Sequence, residues 1–344
     1  MNHVPQPQHN RQLAVWLLVC AFVLFCMIVL GGVTRLTGSG LSMVEWKPLM
    51  GAIPPLSDAQ WQETFDKYKQ FPEYQQVNRG MDLAGFKRIF AYEYAHRLLG
   101  RIIGLIFFVP MVFFWWKKRI PAGYKPKLVA LFGLGALQGL LGWYMVMSGL
   151  VDVPRVSQYR LIAHLGLAVI IYGYMLWVVF DLLFPSHADA RAGSRLKRVS
   201  FALSGLLFVM ILSGGLVSGI HAGFVYNTFP LMNGHFFPPG LYGLTPTWTS
   251  IFQDITTVQF NHRILAYLLT VSILGFAIAV LRAGVDGRTK AGIFAMLAML
   301  VVQVSLGIST LLLVVPIPLA AAHQGGAILL LTASLYVCHC LKNN

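Results

Sequence analysis

Charged side chains are scarce in this sequence. Asp, Glu, Lys and Arg together make 11% of the 344 residues, whereas hydrophobic residues make 57%. A typical soluble domain carries about 25% charged residues, so this composition excludes a soluble enzyme. The sequence also lacks a Walker-type phosphate loop, a dinucleotide fingerprint and a nucleophile elbow where they could act, which excludes the enzyme classes that depend on them.

Cysteine is scarce as well. The four cysteines are Cys20, Cys26, Cys338 and Cys340, and none lies in the long segments that we predict to face an oxidising compartment. We therefore expect no structural disulfide. All four are interpreted as small apolar residues that pack between helices, because a Cys-x-Cys pair alone makes a weak metal site.

Long apolar runs, by contrast, are abundant. About 20 apolar residues in a helix cross a hydrocarbon layer of ~30 Å. Eight segments have that character, at about 13–33, 90–116, 127–148, 160–184, 199–221, 258–281, 290–314 and 317–340. The predicted fold class is an all-α integral membrane protein with eight transmembrane helices.

The basic residues predict how these helices are oriented. The formal net charge is +14, and Lys and Arg are concentrated between spans two and three, four and five, and six and seven. These loops share one side when spans alternate, so that side and both termini are predicted to be cytoplasmic. The positive charge is thus a topology signal and does not indicate nucleic-acid binding. The first outer loop, 34–89, is nearly balanced in charge.

The sequence contains a duplicated unit with two histidines in each copy. "EYAHRLLGRIIG" (93–104) is echoed by "QFNHRILAYLLT" (259–270), and "RLIAHLGLAVI" (160–170) by "LAAAHQGGAIL" (319–329). The displacements are similar, 262 − 96 = 166 and 323 − 164 = 159. We predict two pseudosymmetric four-helix bundles. The corresponding segments are a cytoplasmic tail at 1–12, a first half at 13–184, a basic cytoplasmic linker at 185–198 and a second half at 199–341.

The repeated histidines are predicted to share one depth in the outer leaflet. His96, His164, His262 and His323 each follow the start of an inward-running span by about one to two turns. Two neutral imidazoles that face each other across a bundle form a bis-axial ligand set for haem iron. We therefore predict one haem site in each half. The histidines in tails, loops or the cytoplasmic end of a span are expected to be solvated; they are His3, His9, His187, His235 and His339.

Charged residues beside the histidines suggest different roles for the two halves. Arg97 and Arg263 each follow a histidine and are predicted to hold haem propionates, with anchoring at the interface as the alternative. Glu93 precedes His96 by one turn, whereas the aligned residue is Gln259. An acid kept in only one half indicates proton transfer or charge stabilisation at that site. The alternative is a helix-end ion pair with an arginine.

Several strings in the chain, taken in order, resemble the haem A synthase family. They are "GGVTRLTGSGLSMVEWKP" (31–48), "EYAHR" (93–97), "QGLLGWYMVMSGL" (138–150), "RVSQYRLIAHL" (155–165), "YNTFPLM" (226–232), "VQFNHRILAY" (258–267) and "LAAAHQGGA" (319–327). The resemblance covers about residues 12–340. With no cysteine between 34 and 89, the chain resembles the subgroup that lacks the outer-loop cysteine pair.

The resemblance implies a reaction and a division of labour. The first half would receive haem O at His96 and His164 and oxidise its C8 methyl to a formyl group by successive hydroxylations, with Glu93 at the family's essential carboxylate position. The second half would hold haem B on His262 and His323 for electron transfer. Implied partners are haem O synthase, cytochrome oxidase assembly factors, membrane lipid and an unidentified electron donor, with homo-oligomerisation left open. The implied location is a bacterial inner membrane.

Two other classes share part of this pattern. A dihaem cytochrome b-type electron carrier would use the same four histidines but bind both haems permanently. A transporter built from a repeat is the second alternative. Transporter repeats are commonly inverted, whereas four spans in each half keep both copies in one orientation.

Overall fold

The computed structural model describes residues 7–45, 53–184 and 193–342 of the chain. In these ranges the backbone forms helices joined by loops, and an isolated bridge between Met232 and His235 is the one strand-like pairing described. Eight of the helices are long and apolar enough to cross a membrane. The predicted fold class, an all-α multi-pass membrane protein, is therefore confirmed.

Each predicted span lies on one of these eight helices. The spanning helices are α1 (Pro7–Leu36), α3 (Leu83–Trp116), α4 (Tyr124–Met147), α5 (Gln158–Leu183), α6 (Ser194–Gly219), α8 (Ile255–Arg282), α9 (Gly287–Leu312) and α10 (Ile317–Leu341). Two short helices, α2 (Asp58–Tyr68) and α7 (Ser250–Gln253), lie between them. Much of the predicted tail 1–12 and linker 185–198 lies outside the described residues, and the parts that are described begin α1 and α6.

The two helices that carry the first histidine of each pair begin at an aspartate. Asp82 accepts a hydrogen bond from the Gly85 amide at 2.8 Å at the start of α3, and Asp254 accepts one from the Thr257 amide at 3.1 Å at the start of α8. Such a cap contributes about 1 kcal/mol to helix stability. The cap at Asp82 explains why α3 begins at Leu83, before the predicted boundary at residue 90.

The spanning helices form two groups of four with the same order of contacts. In the first group, α1 packs against α3 and α5, and α5 packs against α4; in the second, α6 packs against α8 and α10, and α10 packs against α9. The groups meet where α1 and α5 contact α6 and α10, and the main hydrophobic core lies along this seam. Helix α4 is the least buried of the eight.

The segment between α1 and α3 contains more structure than the predicted loop 34–89. Because α1 extends to Leu36 and α3 begins at Leu83, the connection is limited to residues 37–82, and it carries α2. Phe65 and Tyr68 of α2 pack with Phe86 and Phe90 of α3 in a buried aromatic cluster. This cluster fixes α2 against the N-terminal end of α3.

The expectation that His339 is solvated was wrong. His339 is fully buried near the end of α10, and its Nε2 lies 3.1 Å from Oδ1 of Asp181. Asp181 also pairs with Lys127 at 3.1 Å and with Lys342. A carboxylate surrounded by apolar helices needs such partners, and the packing of α10 against α5 brings them together.

Candidate functional site

The structure brings His96 and His164 together in the first half. His96 is on α3 and His164 on α5, and the two rings lie near enough to interact electrostatically. Each ring packs against a glycine of a neighbouring helix. Cε1 of His96 lies 3.1 Å from the position that a Cβ would take at Gly31 of α1, and Cε1 of His164 lies 3.0 Å from that position at Gly142 of α4. A side chain at either glycine would displace an imidazole.

The second half repeats this arrangement. His262 of α8 and His323 of α10 also interact electrostatically. Cε1 of His262 lies 3.4 Å from the Cβ position of Gly214 on α6, and Cε1 of His323 lies 2.8 Å from that of Gly307 on α9. Each half therefore holds two imidazoles, each one seated against a glycine.

The second ring nitrogen distinguishes His262 from the other three histidines. Its Nδ1 lies 3.1 Å from the hydroxyl of Ser213 on α6. Nδ1 of His96, His164 and His323 is buried without a hydrogen-bond partner. The displacement between the matched glycines, 214 − 31 = 183, aligns Ser213 with Leu30, so the first half offers no hydroxyl at this place.

Glu93 lies at the centre of a set of hydrogen-bond donors. The side chain is 3% exposed, and its two carboxylate oxygens accept bonds from the Ser42 hydroxyl at 2.7 Å, the Met43 amide at 2.8 Å and the Arg97 guanidinium at 2.5 Å. A carboxylate, which only accepts hydrogen bonds, matches three donors. Ser42 and Met43 belong to the segment after α1, so Glu93 fastens that segment to α3.

Gln259, at the matched position, has a partner of the opposite kind. Its amide nitrogen donates to the Tyr226 carbonyl at 3.0 Å. A carboxylate could not make that bond, whereas an amide can. The facing backbone group is an N–H in the first half, at Met43, and a carbonyl in the second half, at Tyr226. An acid in the first half and an amide in the second each match the group that they face.

Arg97 binds the backbone of the segment after α1, and Arg263 binds the backbone of the segment after α6. Arg97 donates to the Met43 carbonyl at 2.9 Å, and Arg263 donates to the carbonyls of Tyr226 at 2.7 Å and Thr228 at 2.8 Å. These contacts support the anchoring alternative. The Nε of Arg263 is buried without a partner, and propionate binding by either arginine stays a prediction.

Sequence reasoning missed the polar residues that contact the site from other segments. Ser42 and Met43 reach Glu93 from the outer segment, Ser213 reaches His262 from α6, and Gln138 donates to the His164 carbonyl at 3.0 Å. No spacing pattern in the chain indicates these contacts, because each joins two segments that are remote in sequence.

The donor set fits haem better than a metal ion held by protein ligands alone. Among the described residues, no group of three or more His, Cys, Asp or Glu side chains is arranged to hold a metal ion. A haem needs only axial ligands from the protein, and a histidine pair provides them. The four cysteines are free, and Cys20, Cys338 and Cys340 are buried, as expected of packing residues.

The chain is similar to proteins of known activity along nearly its whole length. Residues 14–335 match the COX15-CtaA family, described as cytochrome oxidase assembly protein. A heme A synthase of Nitrosomonas eutropha is 53% identical over 338 residues, which cover 97% of this chain and 95% of that protein. One from Nitrosospira multiformis is 54% identical over 335 residues, covering 97% and 94%. The human protein named heme A synthase COX15 is 43% identical over 347 residues, covering 98% and 85%.

Proposed function

Because the chain belongs to the COX15-CtaA family of cytochrome oxidase assembly proteins, we propose that its two histidine pairs divide the work of haem A synthesis. The chain is an oxidoreductase that converts haem O to haem A. In the proposed division, the first half binds haem O and oxidises its C8 methyl to a formyl group, and the second half holds haem B. The observation that carries this division is the acid beside one pair only, Glu93 against Gln259.

The second half fits a permanently bound haem B. Gly214 and Gly307 leave room for the rings of His262 and His323, and Ser213 fixes the orientation of one ring. A hydrogen bond at Nδ1 leaves Nε2 of His262 available to hold a haem iron. When bound, haem B supplies one-electron transfer. Arg263 has a buried Nε donor that a propionate could satisfy.

The first half fits a haem that enters and leaves. Nδ1 of both His96 and His164 lacks a hydrogen-bond partner, and Nε2 of His164 lies 3.4 Å from the amide nitrogen of Gln138, so the first half has no counterpart of the contact between Ser213 and Nδ1 of His262. Helix α4, which carries Gly142, is also the least buried spanning helix. A weakly packed wall suits a substrate that exchanges with the lipid phase.

Glu93 is proposed to manage protons for the oxidation. Each hydroxylation of a methyl group by dioxygen takes up two electrons and two protons and gives an alcohol and one water; a second round gives a hydrate that loses water to the aldehyde. The protons must reach a site buried among apolar helices. Glu93 lies one helical turn from His96, and its contacts with Ser42, Met43 and Arg97 keep the carboxyl in place.

The variant Glu93→Gln tests this function. It removes the ionisable proton and preserves the side-chain volume, so we expect haem O to bind while the yield of haem A falls by at least about 100-fold. Haems extracted from membranes that express the chain with a haem O source are identified by mass spectrometry. A partly oxidised, hydroxylated haem should accumulate in the variant.

Two observations control the experiment. The low-spin spectrum of haem B, measured on the same sample, shows whether the second half has folded, and Gln259→Glu should not create a second reaction centre. A near-normal yield of haem A from Glu93→Gln would contradict a role in proton transfer and would favour the alternative, a helix-end ion pair with Arg97. Two permanent haems with no conversion of haem O would favour the dihaem electron carrier.

Location and partners belong to the same proposal. The chain would lie in a bacterial inner membrane with both termini in the cytoplasm, because the basic loops share one side. It would receive haem O from haem O synthase, electrons from a separate donor, and pass haem A to cytochrome oxidase assembly factors.

A further inference from the structure

Glu73 is a second buried carboxyl on the outer side of the first half. Glu73 and Glu93 are the two buried acids among the described residues, with 7% and 3% of their surface exposed. Glu73 begins a π-helical turn after α2, and its Oε2 accepts a hydrogen bond from the Tyr68 hydroxyl at 3.0 Å. Asn78 donates to the same hydroxyl at 2.7 Å. Within the described ranges, no Lys or Arg pairs with Glu73.

The two buried acids interact electrostatically and lie beside the same aromatic cluster. Glu73 and Tyr68 both interact electrostatically with Glu93. Met43, whose amide donates to Glu93, packs against the aromatic cluster that contains Tyr68. In such apolar surroundings, a negative charge on one carboxyl disfavours a negative charge on the other.

The charge state of Glu73 can change near neutral pH. Burial, and to a smaller extent the nearby charge of Glu93, raise the pKa of Glu73 to about 7, although the hydrogen bond from Tyr68 acts in the opposite direction. Glu93 has Arg97 as a counter-ion, whereas no Lys or Arg of the described ranges pairs with Glu73. Glu73 is therefore the acid of this pair that can carry a proton near neutral pH.

We propose that Glu73 is the proton-exchange partner of Glu93. In this role Glu73 takes protons from the outer aqueous phase and passes them to Glu93, the acid beside the reacting haem. This inference rests on the proposed function. As the oxidation consumes the proton of Glu93, an O–H bond of Glu73 breaks and an O–H bond forms at Glu93, and the Glu73 carboxylate is then reprotonated from outside. Glu73 touches no reacting atom, so it is a positioning residue that acts through Glu93.

The variant Glu73→Gln removes this exchange and keeps an acceptor for Tyr68. The initial rate of haem A formation is measured in membranes supplied with haem O, between about pH 6 and pH 8. For the unmodified chain, we expect the rate to fall as pH rises through the pKa of Glu73, because the proton donor is lost. In Glu73→Gln the rate should be on the order of tenfold lower at pH 6 and should lose this pH dependence.

Two further variants separate proton exchange from a structural role. Tyr68→Phe keeps the ring but removes a hydrogen bond that lowers the pKa of Glu73, so the midpoint of the pH profile should move to higher pH. Glu63→Gln, at an exposed acid of α2 paired with Lys67, should change neither rate nor profile. The haem B spectrum of each variant reports on folding.

The possible outcomes are distinct. A Glu73→Gln variant with the rate and pH profile of the unmodified chain would overturn the proposal. So would a slow Glu73→Gln combined with an unmoved midpoint in Tyr68→Phe, since that pair of results describes a structural residue. If the unmodified chain forms no haem A at any pH, the proposed function itself fails.

Discussion

The side chains around each histidine set what that histidine can do with a haem. The hydrogen bond between Ser213 and His262 is found in the second half, and Leu30 stands at the matched place in the first. A hydrogen bond donated by Nδ1–H to a neighbouring oxygen fixes the ring. It also makes Nε2 a more basic ligand, which stabilises ferric iron. The contrast suits one haem that stays and one that exchanges.

Ser213→Ala should therefore alter haem B without altering the fold. We expect the midpoint potential of haem B to rise and its affinity to fall by about 10-fold to 100-fold, because the outer partner of an axial histidine is lost. Redox titration of the low-spin band and haem loss to a scavenger give the two quantities. Ser213→Thr retains the hydroxyl and should behave like the unmodified chain. Equal potentials for the alanine and unmodified forms would contradict the assignment.

At the scale of helices, each histidine depends on a close crossing with a neighbour. The pairs α1–α3, α4–α5, α6–α8 and α9–α10 each place a glycine against an imidazole. Small residues allow helices in a membrane to approach one another. Here the glycine also leaves space for a ring, so the crossing and the ligand position are determined together.

Gly307→Ala tests the tightest of these contacts. A Cβ at Gly307 would lie 2.8 Å from Cε1 of His323, and the ring must move to avoid it. We expect the low-spin haem B spectrum to weaken or shift. Gly275→Ala on α8 is the matched control, because no atom lies within 4 Å of its added Cβ, and alanine there should stabilise the helix by up to about 1 kcal/mol. Identical haem B spectra for both variants would show that His323 does not hold the haem.

At the scale of the whole molecule, the two groups of helices share one hydrophobic core. The main hydrophobic core follows the seam between the two groups of helices, whereas α3 and α4 lie at the periphery. The outer segments are attached to their own halves, since Arg97 holds one and Arg263 holds the other. Each half can therefore keep its own chemistry while sharing one core.

The orientation of the molecule can be tested with reporter fusions. Fusions after Lys118, Arg195 and Arg288 should report the cytoplasm, and fusions near Asp66 and Gly240 should report the outer compartment, because Lys and Arg in short loops set the orientation. An outer signal at Arg195 would place the histidines of one half at a different depth. That result would contradict the proposal that each half holds a haem between two histidines.

Much of this architecture was predictable from one-dimensional patterns. Hydropathy located all eight spanning helices, and the repeat identified four histidines that the fold then brings together as two pairs. Both signals lie along the chain, since a helix in lipid satisfies its own backbone hydrogen bonds and needs only a long apolar run. The aromatic spacing of Trp61, Phe65 and Tyr68 could also have indicated α2.

Tertiary packing alone decided which polar groups meet. The burial of His339 against Asp181, the contact of Ser213 with His262, the return of Ser42 to Glu93 and the coupling of Glu73 to Glu93 all join residues from separate segments. The periodicity of hydrophobic residues along the chain indicates whether a residue faces lipid, water or protein. It contains no information about which residue lies opposite on a neighbouring helix. In an apolar bundle a buried polar group must find a partner, and the three-dimensional arrangement determines which one is within reach.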